Sequence, residues 1–202
     1  MTDISELLRL ISRKTADNAG DALSQFLDRK VILHPSFSDL VPVHEFHRNI
    51  YMRIKSAGII LFGRLKEELE GEIILLMDER SGSNLINLSG ATGVNDSLGA
   101  LTEMGLSVLK EMGNVVMGAY ITAFSDAIRH KITPPLLTFI NGALEPVLMD
   151  LIYAPYVVVK QMTRYCMQMD FEIPLEKISG VFLLSLTAQS GETIQRYYQQ
   201  VS

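Results

Sequence analysis

Ser107, Glu111, Asn114 and Gly118 follow one another at spacings of four, three and four. On an α-helix those spacings put all of them on one strip of surface. A carboxylate and a carboxamide one turn apart can reach into the same small space. The carboxylate can pair with a partner's ammonium group. The carboxamide both donates and accepts hydrogen bonds, so it can hold a water molecule in a fixed orientation. On spacing alone the plainer reading is the solvated face of a helix, and both readings stand at this point.

Other groups that could do chemistry are weaker candidates. His44 and His47 flank Glu45, but no third ligand follows at matching spacing, and Pro42 and Phe46 suggest a loop. His130 ends a helical stretch, where a cation favours the helix dipole. Gly90–Gly99 is glycine-rich but lacks the Gly-Lys-Ser/Thr ending of a phosphate loop. Cys166 lies in an apolar run with no base nearby and reads as a buried thiol. Glu67, Glu68, Glu70 and Glu72 read as a solvated turn, with a basic partner surface as the minor option.

The strip needs a long helix, and the sequence offers one near Ser97–His130. Leu101, Met104, Val108, Met112, Val115 and Ala119 are expected as its core face. An earlier helix is expected near Ile4–Arg29, with Leu7, Leu8, Ile11, Ala19, Ala22, Leu23, Phe26 and Leu27 as its apolar residues. The two helices belong to a repeat. Asp17–Val31 aligns without a gap on Gly118–Ile132, matching Ser24 to Ser125 and Lys30-Val31 to Lys131-Ile132. Further on, Gly71–Asn84 aligns on Gly180–Thr193, matching Leu75 to Leu184 and Ser81-Gly82 to Ser190-Gly191. In both copies an apolar strand runs into a Ser-Gly turn that could open a helix.

Each half then reads as a long helix, several strands and a short helix. Half one has strands near Val31–Leu33, Ile50–Ile54, Gly58–Phe62 and Glu72–Met77, and a helix around Asn84–Ser89. Gly90–Asp96 is the expected connector. Half two has strands around Leu136–Ile140, Ala143–Tyr153, Val157–Lys160, Cys166–Ile173 and Val181–Leu186, and a last helix at Thr193–Gln200. The expected fold class is α+β, one domain over residues 1–202, with pseudo-repeats of about 1–93 and 94–202.

The composition narrows the function. The 202 residues are 48% hydrophobic and 20% charged, a globular balance. A net charge of −5 without a basic block argues against gripping nucleic acid. The single cysteine excludes an internal disulfide and a cysteine-built zinc site. The most apolar stretch, Leu136–Val159, is broken by Asn141, Glu145, Pro146, Asp150 and Pro155, so no membrane insertion is expected. The polar, acidic Met1–Glu6 stretch lacks the regions of a signal peptide, and a cytoplasmic protein is expected.

Ser107-Val-Leu-Lys-Glu111-Met-Gly-Asn114, followed by Gly118, Ser125, Asp126 and Pro134-Pro135, resembles the CheC family of chemotaxis phosphatases, which includes CheX and FliY types. The family signature is Asp or Ser, three residues, Glu, two residues, Asn, then a proline some two dozen residues on. The stretch from Glu111 to Ile128 looks like the CheC second-half helix almost throughout, and the duplicated layout is also the CheC layout. The prolines arrive slightly early, which implies a shorter loop after the helix.

The resemblance implies a hydrolase that removes the aspartyl phosphate of a CheY-like response regulator. Asn114 matches the asparagine that positions the attacking water. Glu111 matches the acid that pairs with a regulator lysine, and Ser107 opens the motif in a supporting role. It implies no cofactor in this chain, because the phosphoaspartate and its magnesium belong to the regulator. CheD is a further partner known for the family. The alternative is a non-catalytic interaction module, a CheD-binding or flagellar-switch-type adaptor.

The gapless alignment also places Leu10 opposite Glu111 and Arg13 opposite Asn114. Leucine cannot pair with a lysine, and arginine repels one and accepts no hydrogen bond. One active site is expected, not two. Drift at an unused surface is the simpler reading of Leu10 and Arg13; the other is that Arg13 anchors a different, acidic surface.

Overall fold

The computed structural model describes residues 3–42, 58–94, 101–142 and 163–200. The strands expected at Ile50–Ile54, Ala143–Tyr153 and Val157–Lys160 lie outside these residues, as do His44, Glu45 and His47.

Helix α1 (Ile4–Leu27) begins where the Asp3 carboxylate accepts the Ser5 amide, and it ends at Asp28 in the left-handed conformation (φ 49°). It buries Leu7, Leu8, Ile11, Ala16, Ala19 and Leu23 at helical spacing. Two residues expected on that face, Ala22 and Phe26, point outward instead, and Phe26 is 64% exposed.

Strands β1 (Ile32–Pro42), β2 (Gly58–Lys66) and β3 (Glu70–Asp78) follow, then helix α2 (Glu79–Leu88). Helix α3 (Glu103–Ile128) opens the second part, followed by β4 (Leu137–Gly142), β5 (Thr163–Ile173), a 3-10 turn (Pro174–Glu176), β6 (Ile178–Leu186) and helix α4 (Ala188–Gln200). Both short helices start earlier than the sequence reading places them. Asp78 caps α2 by accepting the Ser81 amide at 2.6 Å, and Thr187 accepts the Ser190 amide at 3.1 Å just before α4 winds up. The two Ser-Gly pairs therefore lie inside first helical turns, not in separate turns.

The strands form one six-stranded antiparallel sheet in the order β1-β5-β6-β3-β2-β4. That order reads the same from either edge when β1, β2, β3 are exchanged for β4, β5, β6. The central strands β3 and β6 are buried on both faces, which explains their unbroken apolar runs Ile73–Met77 and Val181–Leu184. Pro35 and Pro42 are confined to the edge strand β1, where a missing N–H costs least, and the β1–β5 register slips between Pro35 and Phe37. The long helices pack against each other, α1 also covering β1, and share one apolar core with one face of the sheet.

Residues aligned by the repeat make the same contacts. Ser24 Oγ accepts the Val31 amide at 2.9 Å, and Ser125 Oγ accepts the Ile132 amide at 3.2 Å. Ser81 Oγ accepts the Ser179 amide, and Ser190 Oγ accepts the Glu70 amide. Each short helix is thus tied to a strand contributed by the other part of the chain. Among the described residues, no helix is long and apolar enough to cross a membrane.

Candidate functional site

Two glycines and a cap seat α3. Thr102 Oγ1 accepts the Gly105 amide at 3.1 Å and donates to the Gly93 carbonyl at 2.8 Å. A Cβ on Gly105 would lie 2.2 Å from the Val94 carbonyl oxygen, so only glycine fits there. A Cβ on Gly113 would lie 2.5 Å from Leu61 Cδ2 of β2, so the helix rests directly on the sheet one residue before Asn114.

At ~100° of rotation per residue, Asn114, Ser107, Gly118 and Glu111 fall roughly 100–160° round the axis from Gly113. The seating that turns Gly113 to the sheet therefore turns the strip to solvent. Ser107, Glu111 and Asn114 are all exposed. A Cβ on Gly118 would meet nothing within 4 Å, so the surface one turn beyond Asn114 is low and open. Among the described residues, the side chains of Ser107, Glu111 and Asn114 have no hydrogen-bond or ion-pair partner of their own. A carboxylate and an amide held on a rigid helix with unused capacity can engage an incoming cation and a water without first breaking internal bonds.

The core face of α3 differs from the expected one. It is Leu109, Met112, Val116, Tyr120, Phe124 and Ile128, with Gly113, Met117 and Ile121 beside them. Leu101, Val108, Val115 and Ala119 sit at its margin, half-buried, because α3 is wedged between α1 and the sheet and buries more than one narrow stripe. Met104, also assigned to the core by its type, is 58% exposed. It stands one turn before Ser107 and extends the strip with an apolar residue. Its spacing of three to Ser107, continuing the same strip, is the signal that could have found it.

The acidic cluster splits. Glu67, Glu68 and Glu70 are exposed as expected, but Glu72 is not part of a solvated turn. It is buried in β3, with Oε2 2.8 Å from Arg164 Nη2, and Arg164 Nε donates to Ser185 Oγ at 3.2 Å. His130 follows the helix end, as expected, and its Nε2 lies 2.7 Å from Glu68 Oε2, while its ring stacks on Tyr197. The Tyr197 hydroxyl also donates to Glu68, and that bond pushes the phenol above its ordinary pKa. Cys166 is buried, and burial pushes its thiol well above the ordinary range, so it is no nucleophile. No cluster of metal-binding side chains occurs among the described residues.

No protein-family model matches the chain. The chain is 26% identical to the CheY-P phosphatase CheC of Bacillus subtilis over 134 residues, which is 64% of this chain and 62% of that protein. The match therefore spans less than two thirds of the relative's length. The fold is similar to that of Thermotoga maritima FliY, with a TM-score of 0.67 at 18% identity, covering 100% of this chain and 98% of that one. It is also similar to the FliM middle domain of H. pylori, with a TM-score of 0.61 at 15% identity, covering 98% and 99%. The fold is thus that of a CheC/FliY-like α+β protein. In sequence the chain is similar to CheC over the matched 134 residues.

Proposed function

We propose that the chain hydrolyses the aspartyl phosphate of a CheY-like response regulator through one site, made by Glu111 and Asn114. The observation that supports this most is that both side chains stand exposed on one helical strip, without a partner among the described residues, in a chain similar to a CheY-P phosphatase. Glu111 docks by pairing with a lysine of the regulator. Asn114 donates to and accepts from the attacking water, and so aligns it in line with the scissile bond. Ser107 supports the strip one turn before Glu111. An amide is no useful general base; its work is alignment, as for the water-orienting glutamine of GTPases. In this reading the phosphoaspartate and its magnesium are brought by the regulator.

A second reading is favoured by the likeness to FliM along nearly the whole chain. In it the chain is a non-catalytic adaptor of a flagellar-switch or CheD-binding kind. A phosphate-release time course separates the two. The regulator is phosphorylated with a small phosphodonor and magnesium, then followed with wild-type protein, Asn114→Ala and Glu111→Ala. Asn114→Ala should abolish acceleration while most binding survives, and Glu111→Ala should weaken association as well. Full turnover by Asn114→Ala overturns the assignment. No acceleration by wild type, with binding intact, favours the adaptor.

A further inference from the structure

The exposed face of α1 and the C-terminal part of α4 enclose a groove of about 480 Å³, lined by Glu6, Leu10 and Arg13 on one side and Gln195, Tyr198 and Gln199 on the other. The alignment that pairs Ser24 with Ser125 pairs Glu6, Leu10 and Arg13 with Ser107, Glu111 and Asn114. The groove therefore lies where a second copy of the strip would stand, and its chemistry is inverted.

We propose that this groove docks a short acidic segment of a partner protein, seating one apolar side chain on Leu10 and Tyr198 and one carboxylate on Arg13. Leu10 is 53% exposed, although a leucine there gains nothing from facing water. Arg13 is exposed and has no ion-pair partner among the described residues. Arg9, one turn earlier, is paired with Asp39 at 3.1 Å and so largely neutralised, while Arg13 keeps its donors for an incoming group. Lys14 is exposed beside it, and the Arg129 guanidinium lies 5.3 Å from the Tyr198 ring centroid. In a chain of net charge −5, two exposed cations at one end of the groove, Arg13 and Lys14, without an ion-pair partner among the described residues, suit an acidic ligand. Glu6 is the only acid among the groove's lining residues and sits two turns from Arg13. A bound segment therefore has a direction, with its carboxylate at the Arg13 end. Gln199 offers an amide to the segment's backbone.

This inference is independent of the phosphatase reading. The test is fluorescence anisotropy on the full chain with two labelled 12-residue peptides. One carries Leu and Glu at helical spacing, and the other has Lys in place of each Glu. The Glu peptide should bind in the sub-millimolar range and the Lys peptide should not. Arg13→Glu should weaken the Glu peptide by at least about fivefold, the scale of one exposed charge pair, and strengthen the Lys peptide. Leu10→Ser should weaken the Glu peptide, and Asn114→Ala should leave it unchanged. Equal binding of both peptides, no binding at millimolar concentration, or full affinity in Arg13→Glu overturns the proposal. The titration reads no phosphate release, so a failed phosphatase assignment would leave its result standing.

Discussion

Replacing Glu72 with leucine should be among the most damaging single changes at a charged residue of this protein. Glu72 alternates with Ile73, which faces the helices, so its carboxylate lies on the opposite face of the sheet, as do Arg164 and Ser185. The side chains of Arg164 and Glu72 are only 2% and 5% exposed and meet at 2.8 Å. Removing the carboxylate takes the 2.8 Å charge partner from a buried guanidinium and a looser 4.0 Å partner from Arg64, a change that costs about 3–5 kcal/mol in comparable sites. Arg164 keeps its bond to Ser185 Oγ, which favours the lower end of that range. For a domain of this size, 3 kcal/mol corresponds to a fall in melting temperature of roughly 6–12 °C.

The double variant Glu72→Leu/Arg164→Met removes both charges at similar volume. It should recover most of the loss, because the pair's attraction mainly offsets the desolvation of its two members. Urea denaturation of the wild type, the single and the double variants measures both effects. A single variant within about 1 kcal/mol of wild type, or a double variant no better than the single, refutes the reasoning. The strip of Ser107, Glu111 and Asn114 lies exposed on α3, apart from this buried pair.

Two further changes probe α3. Tyr120 is fully buried and stacks on Phe182 at 4.7 Å, and its hydroxyl has no hydrogen-bond partner. Tyr120→Phe should keep the stack and raise stability by about 1 kcal/mol, as an unsatisfied buried hydroxyl is removed. Burial holds the Tyr120 phenol above its ordinary value of 10.0. The native state thus keeps a proton that the unfolded chain releases, and stability falls as pH climbs past 10.0 towards the raised value. Tyr120→Phe should flatten that alkaline fall, read by denaturation at neutral pH and above 10.0. Gly105→Ala would put a Cβ 2.2 Å from the Val94 carbonyl, which backbone cannot easily yield. It should cost about 1–3 kcal/mol despite alanine's better helix propensity, and a higher melting temperature would contradict the seating described for α3.

Helices and central strands were legible because their patterns are long. The apolar spacing of α1 and the unbroken runs of β3 and β6 identify those elements from residue type alone. The short helices were misjudged at their starts because the deciding contacts are local caps, Asp78 for α2 and Thr187 before α4. The face of α3 was misjudged because a helix packed against both a helix and a sheet buries a wide arc, on which several registers fit equally well. Glu72 was read as solvated because its partner Arg164 is distant in sequence. The signal was there for Glu72, which leads directly into the apolar run Ile73–Met77. The strip of Ser107, Glu111 and Asn114 was legible in full, because spacing on one helix needs no tertiary information.

The two long helices show where the parallel between the chain's halves holds and where it stops. At their C-terminal ends the match is close: Asp28 and Arg129 both take the left-handed conformation, and Ser24 and Ser125 both hold the chain as it turns away. These contacts are fixed by packing, and any change there must be repaired on both sides of a joint. On the outward faces Leu10, Arg13, Glu111 and Asn114 have no hydrogen-bond or ion-pair partner among the described residues. There, an acid and an amide stand on α3 where a leucine and an arginine stand on α1. A surface suited to a lysine-bearing partner and one suited to an acidic segment cannot serve the same ligand. Drift alone would also produce a difference, but it need not leave an unpaired arginine and an exposed leucine together at the mouth of a groove. If both proposals hold, the asymmetry reflects two different partners on two faces of one frame, and the peptide titration and the phosphate-release time course test each face separately.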